Sequence, residues 1–533
     1  MPARVENRPF SPRYRSPLLW LAIASLSILI GLGFALLISL FDAGPILRGR
    51  VVQTLSERFQ SRVDLRGFHI TLRHGIQVSG DDLRIYGESD PNKDQPGVQP
   101  LFSIANFSFS TSVWNLLQSP MHIHAVFVRG LSINIPPKND RQQMAHMRRR
   151  GSKANLYVEH FYCDHAGLVI NTSTAGKLPL VFDIQNLVMD ETGPGQPLRF
   201  RANLVNPKPV GMIHSTGLFG PFREDSPRDT AVQGGYSFRD ADLSTIKGIG
   251  GILSSVGSYS GTLDHIVVDG STNTPNFQVT RSGHAVPLAT EFHAIVDGTT
   301  GDTYLEPVRA NIRKTSLVAR GFVVREAQPA GHRVKLHVTI DAGHIDDLLI
   351  LGVKTDPPVM TGNVTLTATF DLPPGERDLS DRLRLDGGFD IVGGHFSNDK
   401  IQDKVGALSL RSQGKPKLAK SDLSDDVLSQ VGGKFRLSEG VLTFSQFRFS
   451  VPGTRVDMTG RYSLDGNEFD FHGKARMQAK LSHMMTGWKS LLMKPVDPFF
   501  QKDGAGTELP VKISGTKSAP KFGLDFGHHD EKD

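Results

Sequence analysis

From Gly433 to Met477 apolar and polar residues alternate in short bursts separated by turn signals. Phe435 and Leu437, Leu442 and Phe444, Phe447, Phe449 and Val451 carry the first apolar positions. Val456 and Met458, Tyr462 and Leu464, and Phe469 and Phe471 continue them, with Arg436, Thr443, Arg448, Asp457 and Asp470 in between. A strand sends successive side chains to opposite faces, so each burst has one apolar and one wetted face. Ser438-Glu439-Gly440, Val451-Pro452-Gly453 and Asp465-Gly466 stand where hairpin turns would fall. The stretch predicts an antiparallel meander with one continuous apolar surface.

The same period recurs along the chain. Val334, Leu336, Val338 and Ile340 alternate with polar residues, as do Val364, Leu366, Ala368 and Phe370. Phe68, Ile70 and Leu72, then Phe107 and Phe109, begin the series near the N-terminus. A longer repeat is superimposed. The strand ending at Leu243 runs into an apolar, helix-like patch (Leu243, Ile246, Ile249, Leu253) that stops at Gly257, and Gly261-Thr262-Leu263 opens the next strand. The strand before Ile345 leads to Leu348, Leu349 and Leu351, and Ala475 to Leu481 leads to Met484, Met485, Trp488, Leu491 and Leu492. Modules of several strands plus one short helix predict an elongated body.

Two segments differ. Leu18 to Phe41 carries no charge over about 24 residues, long enough at ~1.5 Å per residue to span a ~30 Å hydrocarbon core. Arg4, Arg8, Arg13 and Arg15 precede it, which predicts a cytoplasmic N-terminus and a translocated remainder. Leu18, Trp20, Leu29 and Phe41 mark this anchor. A cleaved signal peptide would have a shorter apolar core and an A-x-A-like site. From Pro45 to Phe59, Leu47, Val51, Leu55 and Phe59 recur four apart, predicting an amphipathic helix that caps the edge of the first strands or lies on the bilayer. The expected division is 1–17 basic tail, 18–41 transmembrane helix, 42–60 membrane-proximal helix, 61–480 body, 481–526 C-terminal region and 527–533 polar tail.

A net charge of +6 over 533 residues falls short of a nucleic-acid signature and fits mild attraction to anionic lipid. Lys138 to Lys153 is polar and basic, and reads as a solvated loop or a site for anionic headgroups or cell-wall polymer. Cys163 is the only cysteine, so no intrachain disulfide forms. His122 and His124 share a strand face, without a cysteine or carboxylate at ligand spacing. Asp346-Asp347 sits at a predicted helix start, where capping accounts for it. The chain contains no G-x-S-x-G, H-E-x-x-H or Walker-type loop. The expectation is a protein that is not an enzyme and uses no metal or cofactor.

The run ILRGRVVQTLSERFQSRVDLRGFHITLRHGIQVSGDDLRIYG resembles the N-terminal signature of the AsmA-like family. Lys494-Pro-Val-Asp-Pro-Phe-Phe500, Gly504-Ala-Gly-Thr507, Leu509-Pro-Val-Lys-Ile513 and Pro520-Lys-Phe-Gly-Leu-Asp525 resemble its C-terminal signature. The resemblance implies an inner-membrane-anchored, periplasmic envelope protein related to the repeating β-groove lipid-transfer proteins. Its fold is then mostly β, an N-terminal transmembrane helix followed by an elongated, twisted antiparallel β-groove with a few short amphipathic helices. The implied partners are the inner membrane and phospholipids, with a periplasmic or outer-membrane partner at the C-terminal end. Candidate lining residues are Val334, Leu336, Val338, Val364, Leu366, Phe370, Phe435, Leu437, Phe447, Phe449, Phe469 and Phe471. The expected role is carriage of phospholipid acyl chains in support of outer-membrane assembly or lipid homeostasis. Period two alone equally fits a structural or regulatory envelope protein with a closed β core, or a polymer-binding solenoid.

Overall fold

The computed structural model describes most of 62–524 and five helical residues between 48 and 56. The larger undescribed stretches within that span are 72–75, 87–99, 113–120, 136–155, 172–179, 419–426 and 485–505. The predicted anchor with Leu18, Trp20, Leu29 and Phe41, both polar tails, the basic 138–153 segment, Met485 and Trp488 lie outside the described residues. Among the described residues no helix is long and apolar enough to cross a membrane.

The described residues form one twisted, open 24-stranded sheet. It begins with β1 (Val63–Thr71), β2 (Ile76–Ile85), β3 (Phe102–Thr111), β4 (Met121–Ile135), β5 (Leu156–Ile170) and β6 (Leu180–Thr192). Then come β7 (Leu198–Pro207), β8 (Val210–Phe219), β9 (Ala231–Asp242), β10 (Ile249–Gly250), β11 (Ile252–Thr262) and β12 (His265–Val279). β13 (Ala285–Val296), β14 (Thr303–Ile312), β15 (Thr315–Ala327), β16 (Ala330–His344), β17 (Met360–Leu372) and β18 (Arg384–Phe396) follow. The last are β19 (Ser429–Ser438), β20 (Val441–Val451), β21 (Thr454–Ser463), β22 (Glu468–Met477), β23 (Thr507–Thr516) and β24 (Pro520–Leu524).

Each strand pairs with its neighbours in sequence, and short β10 shares the place of β11 beside β12. The meander expected over 433–477 is β19 to β22, with Glu439 (φ 51°) and Gly440 (φ 73°) making the tight left-handed turn that a two-residue hairpin needs. One pairing departs from the antiparallel expectation: β4 and β5 run parallel. A parallel neighbour requires a crossover of a dozen or more residues, and the connection 136–155 has that length.

The helix-like patch after Leu243 is also corrected. Only Leu243–Thr245 is helical, as a single 3-10 turn, and Leu253 and Gly257 lie inside β11. Gly248 (φ 100°) and Gly251 (φ 123°) take a backbone conformation that no helix continues through. Gly261 and Thr262 end β11 instead of opening a strand. The two other helical segments stand where the repeat puts them: α1 (Ile345–Gly352), and a 3-10 turn at Leu481–Met484. With β11 counted for β10, each recurs after six further strands, β11–β16 and then β17–β22. A 14-residue helix, α2 (Asp399–Ser412), lies between β18 and β19.

The sheet bends back on itself. Register shifts occur at Ile340/Gly343, Thr361/Asn363, Ile391/Gly394 and Phe444/Phe447, and such bulges raise local twist and curvature. One rim carries the turns after β7, β9, β12 and β16; the other carries those after β15, β17 and β21. The rims meet at several points. Arg281, after β12, donates to the Leu464 carbonyl after β21 at 2.8 Å. A Cβ on Gly248, after β9, would fall 2.6 Å from the Leu379 Cβ after β17. Burial, then Arg325, and also Lys208 after β7 hold the His332 imidazole at the start of β16 below its usual range. Seven to nine strands separate the joined turns (β8–β15 and β11–β17 at the low end, β13–β21 at the high end). About eight strands make a barrel wide enough to be filled by side chains or to hold one small ligand. At the first edge Arg48, in the short helix, donates through Nε to the Leu65 carbonyl of β1 at 2.9 Å.

Candidate functional site: a continuous apolar face

The register joins apolar positions from strand to strand. Leu336 pairs with Phe370, Val338 with Ala368, and Val334 with Leu372. Leu366 then faces Phe389 and Val364 faces Ile391. Leu437 pairs with Leu385 and Phe435 with Gly387, while Phe447 meets Gly433 and Phe449 meets Val431. Phe469 pairs with Tyr462 and Phe471 with Gly460, and the face continues to Ile513 and Phe522. All the predicted lining residues from Val334 to Phe471 thus share one face. Val364, Leu437 and Phe471 are buried, and the other nine remain partly accessible.

Glycines accompany the aromatic rings of this face, whether the ring is buried, as Phe471 is, or partly accessible, as Phe292 is. Aromatic rings lie across glycines on the next strand. A Cβ on Gly460 would stand 2.6 Å from the Phe471 ring, and one on Gly270 would stand 2.8 Å from Phe292. A ring laid over a glycine covers backbone without projecting from the wall. Phe444 bridges this carpet, with ring centres 5.5 Å from Phe447 and 5.7 Å from Phe471. Tyr462 stacks on Phe469 at 4.9 Å.

Toward the N-terminal half the same face carries hydroxyls that are bonded among themselves. Ser215 and the Tyr259 phenol are 2.7 Å apart, and the Tyr236 phenol and Ser255 are 3.1 Å apart. Burial raises both phenol pKa values, so they stay neutral at ordinary pH. The hydroxyls are satisfied within the wall and add no charge to it.

α1 lies on this face. Ile345, Leu348 and Leu349 pack against the buried cluster Met360, Val364, Ile391 and Val431. Asp347, expected to cap its own helix, does something else: it is 2 % exposed and accepts from the Lys314 amide at 3.0 Å and the Thr315 hydroxyl at 2.9 Å. The carboxylate pins the helix to the β14–β15 turn.

His122 and His124 do not act as a pair. His122 stacks at a tilt on Tyr157, while His124 Nδ1 approaches Glu159 on the adjacent strand at 2.5 Å, a carboxylate that spacing along the chain did not reveal. Among the described residues no group of three His, Cys, Asp or Glu side chains is arranged to hold a metal. Cys163 is 4 % exposed in β5, and burial pushes its thiol up to about 11. The native thiol is therefore expected to react with iodoacetamide at pH 8 roughly a hundredfold more slowly than after unfolding, since the thiolate fraction falls tenfold per unit. Equal rates before and after denaturation would contradict that burial.

No family model, curated protein or solved structure matches this chain.

Proposed function

We propose that the chain is a membrane-anchored envelope protein that carries lipid acyl chains along the apolar face of its wound sheet. The observation behind this reading is the state of the lining: a continuous wall of Phe, Leu, Val and Ile that stays partly accessible although the rims meet. A sealed core of this diameter would be filled by side chains standing upright. Here glycines let the rings lie flat. A sixteen-carbon chain left in water costs about 13 kcal/mol at ~0.8 kcal/mol per methylene, and an apolar lining removes most of that barrier. No single residue performs the work; the wall shares it. The uncharged 18–41 segment supplies the anchor in this reading, with the sheet on the far side of the bilayer.

Organic extraction and mass spectrometry of the purified full chain test the proposal. Phospholipid is expected in stoichiometric amount. A photo-crosslinking side chain at Leu336, Phe370 or Phe449 should form lipid adducts. Adducts only to neighbouring strands, with no lipid recovered, would leave the closed structural core as the better account.

A further inference from the structure

The opposite face of the same strands holds a second feature. Between β18 and β22 the outer surface dips into a concavity of about 600 Å³, lined by Lys434, Arg448, Arg455, Lys474 and Arg476 together with Asp390 and Asp457. Register sets these side chains side by side: Arg448 faces Asp457, Asp457 faces Lys474, and Arg455 faces Arg476. Three guanidinium groups thus stand around the one carboxylate of Asp457.

The ion pairing is unbalanced. Asp457 receives Arg455 at 2.9 Å, Arg448 at 3.5 Å and Arg476 at 3.8 Å. Only Arg476 has another carboxylate, Glu508 at 2.8 Å, among the pairs seen for these three. Asp457 and Glu508 together neutralise two of the three guanidinium groups, so one positive charge is left over in the recess. The three arginine side chains are each about half exposed, which leaves their forks open to a ligand. A second recess of similar size, near 680 Å³, offers a contrast: it is lined by Arg129 with Asp81 and Asp164 and has no cationic excess.

We propose that the β18–β22 concavity binds a phosphate-bearing ligand on the outer wall of the sheet. Planar guanidinium forks match phosphate oxygens in pairs, and several of them around one recess select for multiple negative charge. The charged groups stand on the face opposite the candidate lipid lining, although Phe389, Phe447 and Met458 of that lining also border the recess, and phosphate binding is read by an experiment separate from lipid recovery.

Titration calorimetry on the full chain in neutral detergent provides the test. The probes are inorganic pyrophosphate and monomeric dihexanoyl phosphatidylglycerol, with the phosphatidylcholine analogue as reference. Arg448→Gln and Arg455→Gln should each weaken binding about tenfold, the size of a lost charge-assisted contact. Asp457→Asn should tighten it several-fold by removing the competing carboxylate. Arg129→Gln, in the other recess, should change nothing. Arginine-dependent binding of the glycerol lipid alone would identify a headgroup as the source, and of pyrophosphate alone a soluble phosphate; either supports the site. Absence of arginine-dependent binding by both probes, or weaker binding by Asp457→Asn, would overturn it and reduce the arginines to partners of Asp457.

Discussion

Leu366→Asp is expected to abolish lipid recovery from the purified protein while leaving it folded. Leu366 lies mid-wall between Ile340 and Phe389 and is only partly buried. A carboxylate there can reach water when the space is empty, so the folded state should tolerate it. An acyl chain passing over it would strip that water, at a cost of several kcal/mol for an ionised group. Co-purified phospholipid should drop tenfold or more, and photo-adducts at Phe449 should fade with it. The check is lipid mass spectrometry beside circular dichroism. Loss of the β spectrum would mean that Leu366 is packing in a filled interior, and the transport reading would fail.

Asp347→Ala should release α1 from the wall. The mutation strands the Lys314 amide and leaves the Thr315 hydroxyl only the longer bond to the His344 carbonyl at 3.4 Å. An unmet buried donor costs ~1–3 kcal/mol, and with the weakened Thr315 bond a local loss of about 3 kcal/mol is the upper end expected. Hydrogen exchange at Lys314 and through 345–352 should accelerate by up to about a hundredfold, the factor that energy implies. Asp347→Asn retains an acceptor and should lose less. Unchanged exchange in the alanine variant would show that the Ile345, Leu348 and Leu349 contacts suffice to hold the helix.

Why these features differ in how readable they are follows from their physics. Strands with one wet face write a period of two into the chain, and β16, β17 and β19–β22 fall where that period is cleanest. α1 was legible because Ile345, Leu348 and Leu349 form a stripe. α2 was not: its buried side is Gln402, Val405, Gly406, Ser409 and Ser412, held by polar bonds such as Ser409 to the Pro452 carbonyl at 2.8 Å. A helix that docks through hydroxyls and an amide leaves no apolar stripe to find. The cationic recess was hidden for the reverse reason, since Arg448, Arg455 and Arg476 read singly as solvated outer-face residues. The contact of Arg281 with Leu464 joins residues 183 apart, and no local pattern encodes it.

The 24 strands would reach about 110 Å along the ladder at ~4.8 Å each, but a wound ribbon spends part of that path on circumference. A second consequence concerns azimuth. Helical turns recur every six strands, whereas edge meets edge only after seven to nine. Each successive turn therefore stops short of a full revolution, and the turns at Leu243, Ile345 and Leu481 stand along the rim at different compass bearings, like treads of a spiral stair. A flat partner can engage one tread at a time, never all three together.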